Sequence, residues 1–309
     1  MTAATSTSTP VRRTPQEKGY WAEAWYEFRR DLAGMIGLAI VGVLLVAAVF
    51  APWLAPHPPD VQFPQGLSGI GQPLGPSSTW PLGTDELGRD ELSRLMFGAR
   101  ISLTVGIVGN ILAALLAFLV GGFAGMLGAR WQTAIMRAVD IVLSFPLLLL
   151  AITLLVIVSP SVLTTTAIVA VGFGAYLSRI VFSQVVSLRQ REFVIAAEAS
   201  GVGRGAILLR HILPHVMPAL VVFSTLNVAA AVQLEATLSF VGIGIRPPTA
   251  SWGNMIAGGQ EYLFTTPMLL IAPGIAIMLA MVGFSLLGDG LRDALDPTLA
   301  QARRFVAVR

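Results

Sequence analysis

Gly201, Gly203 and Gly205 stand at alternate positions in the segment 193–218, FVIAAEASGVGRGAILLRHILPHVMP, and such spacing raises the question of a phosphate cradle. A phosphate loop of the GxxxxGK[ST] kind follows a strand and needs its lysine to reach the outer phosphates. The only lysine in this chain is Lys18, near the N-terminus, and no strand pattern leads into Gly201. The glycines are therefore a helix break, and ATP hydrolysis by this chain is excluded. Cysteine is absent, which removes disulfides, thiolate metal sites and cysteine nucleophiles. The histidines are His57, His211 and His215, with no HExxH pair, so zinc hydrolysis has no ligands. No nucleophile–base pair and no metal cluster stands out, which speaks against an enzyme.

The elements that carry these residues are apolar. The 309 residues are 55% hydrophobic and 12% charged, with a mean hydropathy of +0.75. Soluble domains carry about 25% charged residues. Half that value, with several apolar runs near 20 residues, means an integral membrane protein. The expected fold class is an all-α membrane protein of six transmembrane helices, at about 32–55, 101–127, 137–158, 164–188, from just after Pro214 to 241, and 267–287. Three regions are expected: a cytoplasmic tail over 1–31, a transmembrane domain over 32–290, and a cytoplasmic tail over 291–309. The Ser/Thr/Pro-rich start reads as disordered, followed by an interfacial helix near 19–31 carrying Tyr20, Trp21, Trp25 and Phe28.

Placing the N-terminus inside leaves only Arg89, Arg94, Arg100 and Arg246 outside, four of the 20 basic residues. The positive-inside rule thus puts both termini in the cytoplasm, the 56–100 loop outside and the 189–214 segment inside. The charge pattern flanks spans, which argues against nucleic-acid binding. Within the spans, Asp140 is expected to pair with Arg137 one turn before it, and Arg179 to pair with a carboxylate or snorkel inward. Glu235 either faces a polar cavity between subunits or hydrogen-bonds across helices. Pro146 and Pro273 are expected to kink their helices. Around Gly201, one short helix with Ala196, Ala197, Ala199 and Ser200 is expected before the break. A second, over 206–213, is expected to end at Pro214. Small residues and a sharp turn on the cytoplasmic side make a docking surface.

The same segment resembles the EAA loop of importer-type ABC permeases. Ala196 and Ala197 match its alanines, Gly201 its glycine, and Leu213 and Pro214 its ending. Ile195 stands where the pattern has glutamate, leaving Glu198 or Glu192 to supply a carboxylate, and His211 stands where it has isoleucine. The HILP ending is similar to the peptide/nickel subfamily. PLGTDELGRDELSRLMFGARISL (81–103), MRAVDIVLSFPLLLLA (136–151), LEATLSFVGIGIRPPTASWGNMI (234–256) and LLGDGLRDALDP (286–297) resemble the dipeptide/oligopeptide "C" permease subunits.

This resemblance implies a type I importer permease fold with a cytoplasmic coupling helix. It implies a homologous "B"-type permease, two ABC ATPases and an extracytoplasmic solute-binding protein as partners. ATP and Mg would sit in the ATPases, with no cofactor on this chain, and the location would be the inner membrane. Phe193, Ala196, Ala197, Glu198, Gly201, Arg204, Leu213 and Pro214 would dock the ATPase. Asp85, Glu86, Arg89 and Asp90 would face the binding protein, unless that loop only braces the first two spans. Glu235 is a pathway candidate. Di- or oligopeptides are the expected cargo, with nickel, glutathione or an oligosaccharide as alternatives. A different class, an ion-coupled secondary transporter, would show inverted repeats and midplane ionisable groups, and no repeat is visible.

Overall fold

The computed structural model describes residues 20–296, which fold into helices joined by one long and several short connections. The expectations for residues 1–19 and 297–309 lie outside the described residues. Five helices are long and apolar enough to cross a membrane, and a sixth crossing arises if one bent pair counts as a span.

The first helix, α1 (Tyr20–Phe28), leads into α2 (Leu32–Val49), whose N-terminus is capped by Asp31 accepting from the Gly34 amide at 2.8 Å. After a one-turn helix at Ala51–Leu54, prolines hold the chain out of helix. The next helix, α3 (Glu91–Ala117), begins ten residues before the expected apolar run. Asp90 caps it by accepting from the Ser93 amide at 3.0 Å. The outer loop is thus shorter than expected, because Asp90 nucleates helix through polar sequence. From α3 the chain runs through a π-turn, Phe118–Gly122, into Phe123–Met126.

The expected third span is two helices, α4 (Ala129–Leu143) and α5 (Leu147–Ile157), at 84° to each other. Pro146, with no amide to donate, breaks this helix instead of kinking it. In the last helix described, by contrast, Pro273 is carried inside a continuous helix. Next come α6 (Val162–Arg189), started by a Ser161–Thr164 capping box, and the short α7 (Glu192–Ala199). The helical turn Arg204–Ile207 and a π-turn, Leu208–Ile212, run directly into α8 (Leu213–Phe240). Pro214 therefore does not end a helix. It sits in the first turn of α8, and the π-turn before it pairs the Leu213 amide with the Leu208 carbonyl. A short helix that the sequence reading did not foresee, α9 (Trp252–Gly259), precedes α10 (Met268–Leu295).

Lipid tails are as apolar as leucine, so helices associate through close packing rather than expulsion from water. The packing of the segment after α3 on α6 shows this: in the π-turn a Cβ at Gly121 would fall on the Ser178 carbonyl oxygen, and in Phe123–Met126 one at Gly125 would lie 2.6 Å from Val185 Cγ1. Gly121→Leu is expected to pry the π-turn from α6 and destabilise the chain by about 1–3 kcal/mol or more, read as a lower unfolding temperature in detergent. An unchanged melting curve would show that this crossing has slack.

Candidate functional site

The short helix α7 is held at its C-terminus by a Schellman turn. The Val202 amide donates to the Ala197 carbonyl at 3.1 Å and the Gly201 amide to the Glu198 carbonyl at 3.0 Å. Gly201 takes φ +80°, where a side chain is disfavoured. One face of α7 is spent on the bundle: Val194 and Ala197 are buried in a cluster with Val185, Ile207, Leu208 and Ile212. Ala197 is therefore not a surface residue, contrary to expectation, because the helical period turns it towards α6 and α8. Phe193, Ala196, Glu198, Gly201, Arg204 and Pro214 are exposed, and Leu213 is half-buried. Phe193 stacks on His215 with ring centroids 5.1 Å apart, which ties α7 to the start of α8. Ile195, 53% exposed, adds an apolar contact point to the outward face where the EAA pattern has glutamate.

At the opposite end of the bundle the acidic loop residues turn inward. Asp85 Oδ2 accepts from Arg89 Nε at 2.6 Å and lies 3.1 Å from Arg94 Nε. Asp85 Oδ1 accepts from the Leu87 and Arg89 amides, each at 2.9 Å. Arg89 also reaches Glu86 at 3.2 Å. Asp90 is fully buried: its Oδ2 accepts from the Ser93 amide and hydroxyl and lies 3.6 Å from His57 Nδ1, while Oδ1 has no hydrogen-bond partner among the described residues. Of the four residues expected to face outward, Asp85, Arg89 and Asp90 are buried, and only the Glu86 side chain is partly open, at 34%. Burial follows from pairing: two guanidinium groups need the carboxylates inside.

The residue that sequence reasoning left out is Arg94. It donates to the Pro59 carbonyl at 3.1 Å and to the Pro248 carbonyl at 3.4 Å, joining the loop to the segment before α9. The available signal that helix and network begin here was Asp90, an N-cap residue, followed at once by the acidic Glu91 of the first turn.

Glu235 is 0% exposed and enclosed by this chain. Ser102 donates to Oε2 at 2.7 Å and Ser239 to Oε1 at 2.8 Å, while the Trp252 amide donates to Ser102 Oγ at 3.2 Å. Of the two arrangements the sequence left open, the structure has the cross-helix bond, so Glu235 does not line a cavity of this subunit. Asp140 pairs with Arg179 across α4 and α6, not with Arg137. No group of three or more His, Cys, Asp or Glu residues able to hold a metal occurs among the described residues.

Residues 117–301 match the family described as binding-protein-dependent transport system inner membrane component. Residues 19–73 match the N-terminal transmembrane domain of oligopeptide transport permease C. The chain is 38% identical over 282 residues to a di/tripeptide transport system permease protein of Pseudomonas aeruginosa, covering 91% of this chain and 93% of the relative. It is 36% identical over 279 residues to a dipeptide transport system permease protein of Alkalihalophilus pseudofirmus, 90% of each chain. It is also 36% identical over 265 residues to a nickel transport system permease protein of Escherichia coli K12, covering 85% of this chain and 94% of the relative.

Proposed function

The chain belongs to the dipeptide/oligopeptide/nickel family of binding-protein-dependent inner-membrane permeases, and from that premise we propose that it forms half of the translocation pathway of an ATP-driven importer of short peptides. Its fold is the all-helical type I importer permease fold, and it is a multi-pass inner-membrane protein. The other half of the pathway is a homologous permease. Two ATPase subunits bind ATP and Mg, and an extracytoplasmic binding protein delivers the peptide. This chain performs no catalysis.

The observation that carries this reading is the division of α7 into two faces. Val194 and Ala197 fasten it to the bundle, while Phe193, Ile195, Ala196 and Glu198 are left outward. A helix held this way transmits a push as a rigid body, so closure of an ATPase around it re-tilts α6 and α8 between two packings. Both termini and α7 lie in the cytoplasm, as the arginine asymmetry requires. The buried loop network braces the outer ends of the first two spans, and Glu86, paired with Arg89 but partly open to solvent, is the one of the four loop residues placed to meet the binding protein. Peptide is the cargo named for two of the similar permeases above.

The test is reconstitution of the complete importer in proteoliposomes. Labelled dipeptide is expected to accumulate only with ATP and binding protein present, and to do so equally well with a protonophore. Accumulation that needs no ATP and collapses with the protonophore would make the chain an ion-coupled transporter instead.

A further inference from the structure

We propose that the elbow between α4 and α5 is where the main chain of a transiting peptide is held, with Asn227 and Tyr176 as its hydrogen-bonding contacts; this rests on the importer reading above and assigns its substrate site. The elbow opens a cleft of about 500 Å³ between α4, α5, α6 and α8. That volume falls within the roughly 300–1,000 Å³ typical of small-molecule sites. Tyr176 lies halfway along α6 and Asn227 halfway along α8, so the cleft is at the middle of the bilayer.

Three features argue that something polar enters this cleft. The Asn227 side-chain nitrogen is buried without a hydrogen-bond partner, an arrangement that is costly unless a ligand or water completes it. Tyr176 is 48% exposed in mid-membrane, a depth at which a phenol against lipid would waste its hydroxyl. Third, the backbone is broken here: Pro146 precedes α5 and gives it no side-chain cap, and the Leu150 amide donates to the Pro146 carbonyl at 3.0 Å. Non-helical backbone at membrane depth is tolerated where it lines a water-filled cavity or is buried in protein.

The lining chemistry selects the ligand. The remaining walls are aliphatic and aromatic, Phe145, Leu147 and Phe173 among them, and no carboxylate, imidazole or guanidinium lines the cleft. A nickel ion would find neither imidazole nor thiolate there. A peptide's amide groups suit a neutral donor and a phenol, and its side chains suit the apolar walls.

The test uses the complete importer in proteoliposomes with labelled tri-alanine. Asn227→Leu is expected to lower uptake by about fivefold or more, and Asn227→Gln, which keeps the amide, to recover most of it. Undiminished uptake by Asn227→Leu would overturn the assignment. Because the chain has no cysteine, Asn227→Cys gives one thiol, read on this chain by mass spectrometry after an impermeant methanethiosulfonate. That thiol is expected to react, and to react more slowly with tri-alanine present. An inert thiol, or one that tri-alanine does not protect, overturns the site. Uptake by the unaltered complex tests the importer reading separately: if it takes up no tri-alanine that reading fails, while the site stands or falls on the thiol.

Discussion

Gly201→Trp leaves the chain in the membrane and lowers ATP-driven uptake by more than about tenfold, the equivalent of about 1.4 kcal/mol. Two costs combine. At φ +80° a residue with a Cβ is disfavoured by about 1–2 kcal/mol, which loosens the Schellman turn that ends α7. The indole also has nowhere to hide. A Cβ at Gly201 meets nothing among the described residues within 4 Å, so the ring projects outward into the space the proposed ATPase contact would fill. Two companion variants separate the costs. Gly201→Ala carries the backbone strain alone and reduces uptake partially. Gly203→Trp carries the bulk alone, because Gly203 has an extended backbone, φ −64° and ψ 147°, that any residue adopts. Membrane content is followed by immunoblot and uptake with labelled dipeptide. Full uptake by Gly201→Trp would move the ATPase contact away from α7.

Asp85→Ala is the second large effect, and it acts on stability. The Asp85 carboxylate is the counter-charge shared by the Arg89 and Arg94 guanidinium groups, at 2.6 and 3.1 Å, and all three side chains are buried. Breaking a buried pair by removing one partner costs about 3–5 kcal/mol, because the other charge stays buried and uncompensated. The remaining partners, Glu86 at 3.2 Å and Asp60 at 3.5 Å, are more open to water and compensate less. The Leu87 and Arg89 amides lose their acceptor in the same substitution. Melting of the detergent-solubilised chain should fall by several degrees, and Asp85→Leu combined with Arg89→Leu should recover part of the loss. A melting temperature equal to that of the unaltered chain would mean the network relaxes at no cost.

The two effects come from parts of the chain that differed in how plainly the sequence marks them. The spans follow from apolar length, and α7 with its Gly201 stop follows from helix period and glycine chemistry. What escaped was set by contacts distant in sequence. Asp140 had Arg137 within reach on its own helix, yet it joins Arg179 because α4 lies against α6. Ala196 and Ala197 read alike as small residues, and only the bundle behind α7 decides that the second is inside. Asp85, Arg89 and Asp90 read as a polar loop because exposure is the ordinary fate of charge. Burial needed Arg94 and the Pro248 carbonyl, which lies 154 positions away. Proline gave the least reliable signal. Pro146 breaks its helix, Pro214 is absorbed by a π-turn and Pro273 is carried along, since the outcome depends on which neighbours satisfy the freed carbonyls.

The glycines of α2 and α10 have a consequence for the shape of the whole subunit. A Cβ at Gly290 would lie 2.7 Å from the Gly34 Cα and 3.1 Å from the Phe28 ring, so the beginning of the first crossing and the end of the last are clasped backbone to backbone. Fastened ends fit six crossings, the count reached when the bent pair α4–α5 is taken as one span. Reporters placed at the start of α1 and at the end of α10 are therefore expected to lie on a single face of the bilayer and to give the same answer about sidedness.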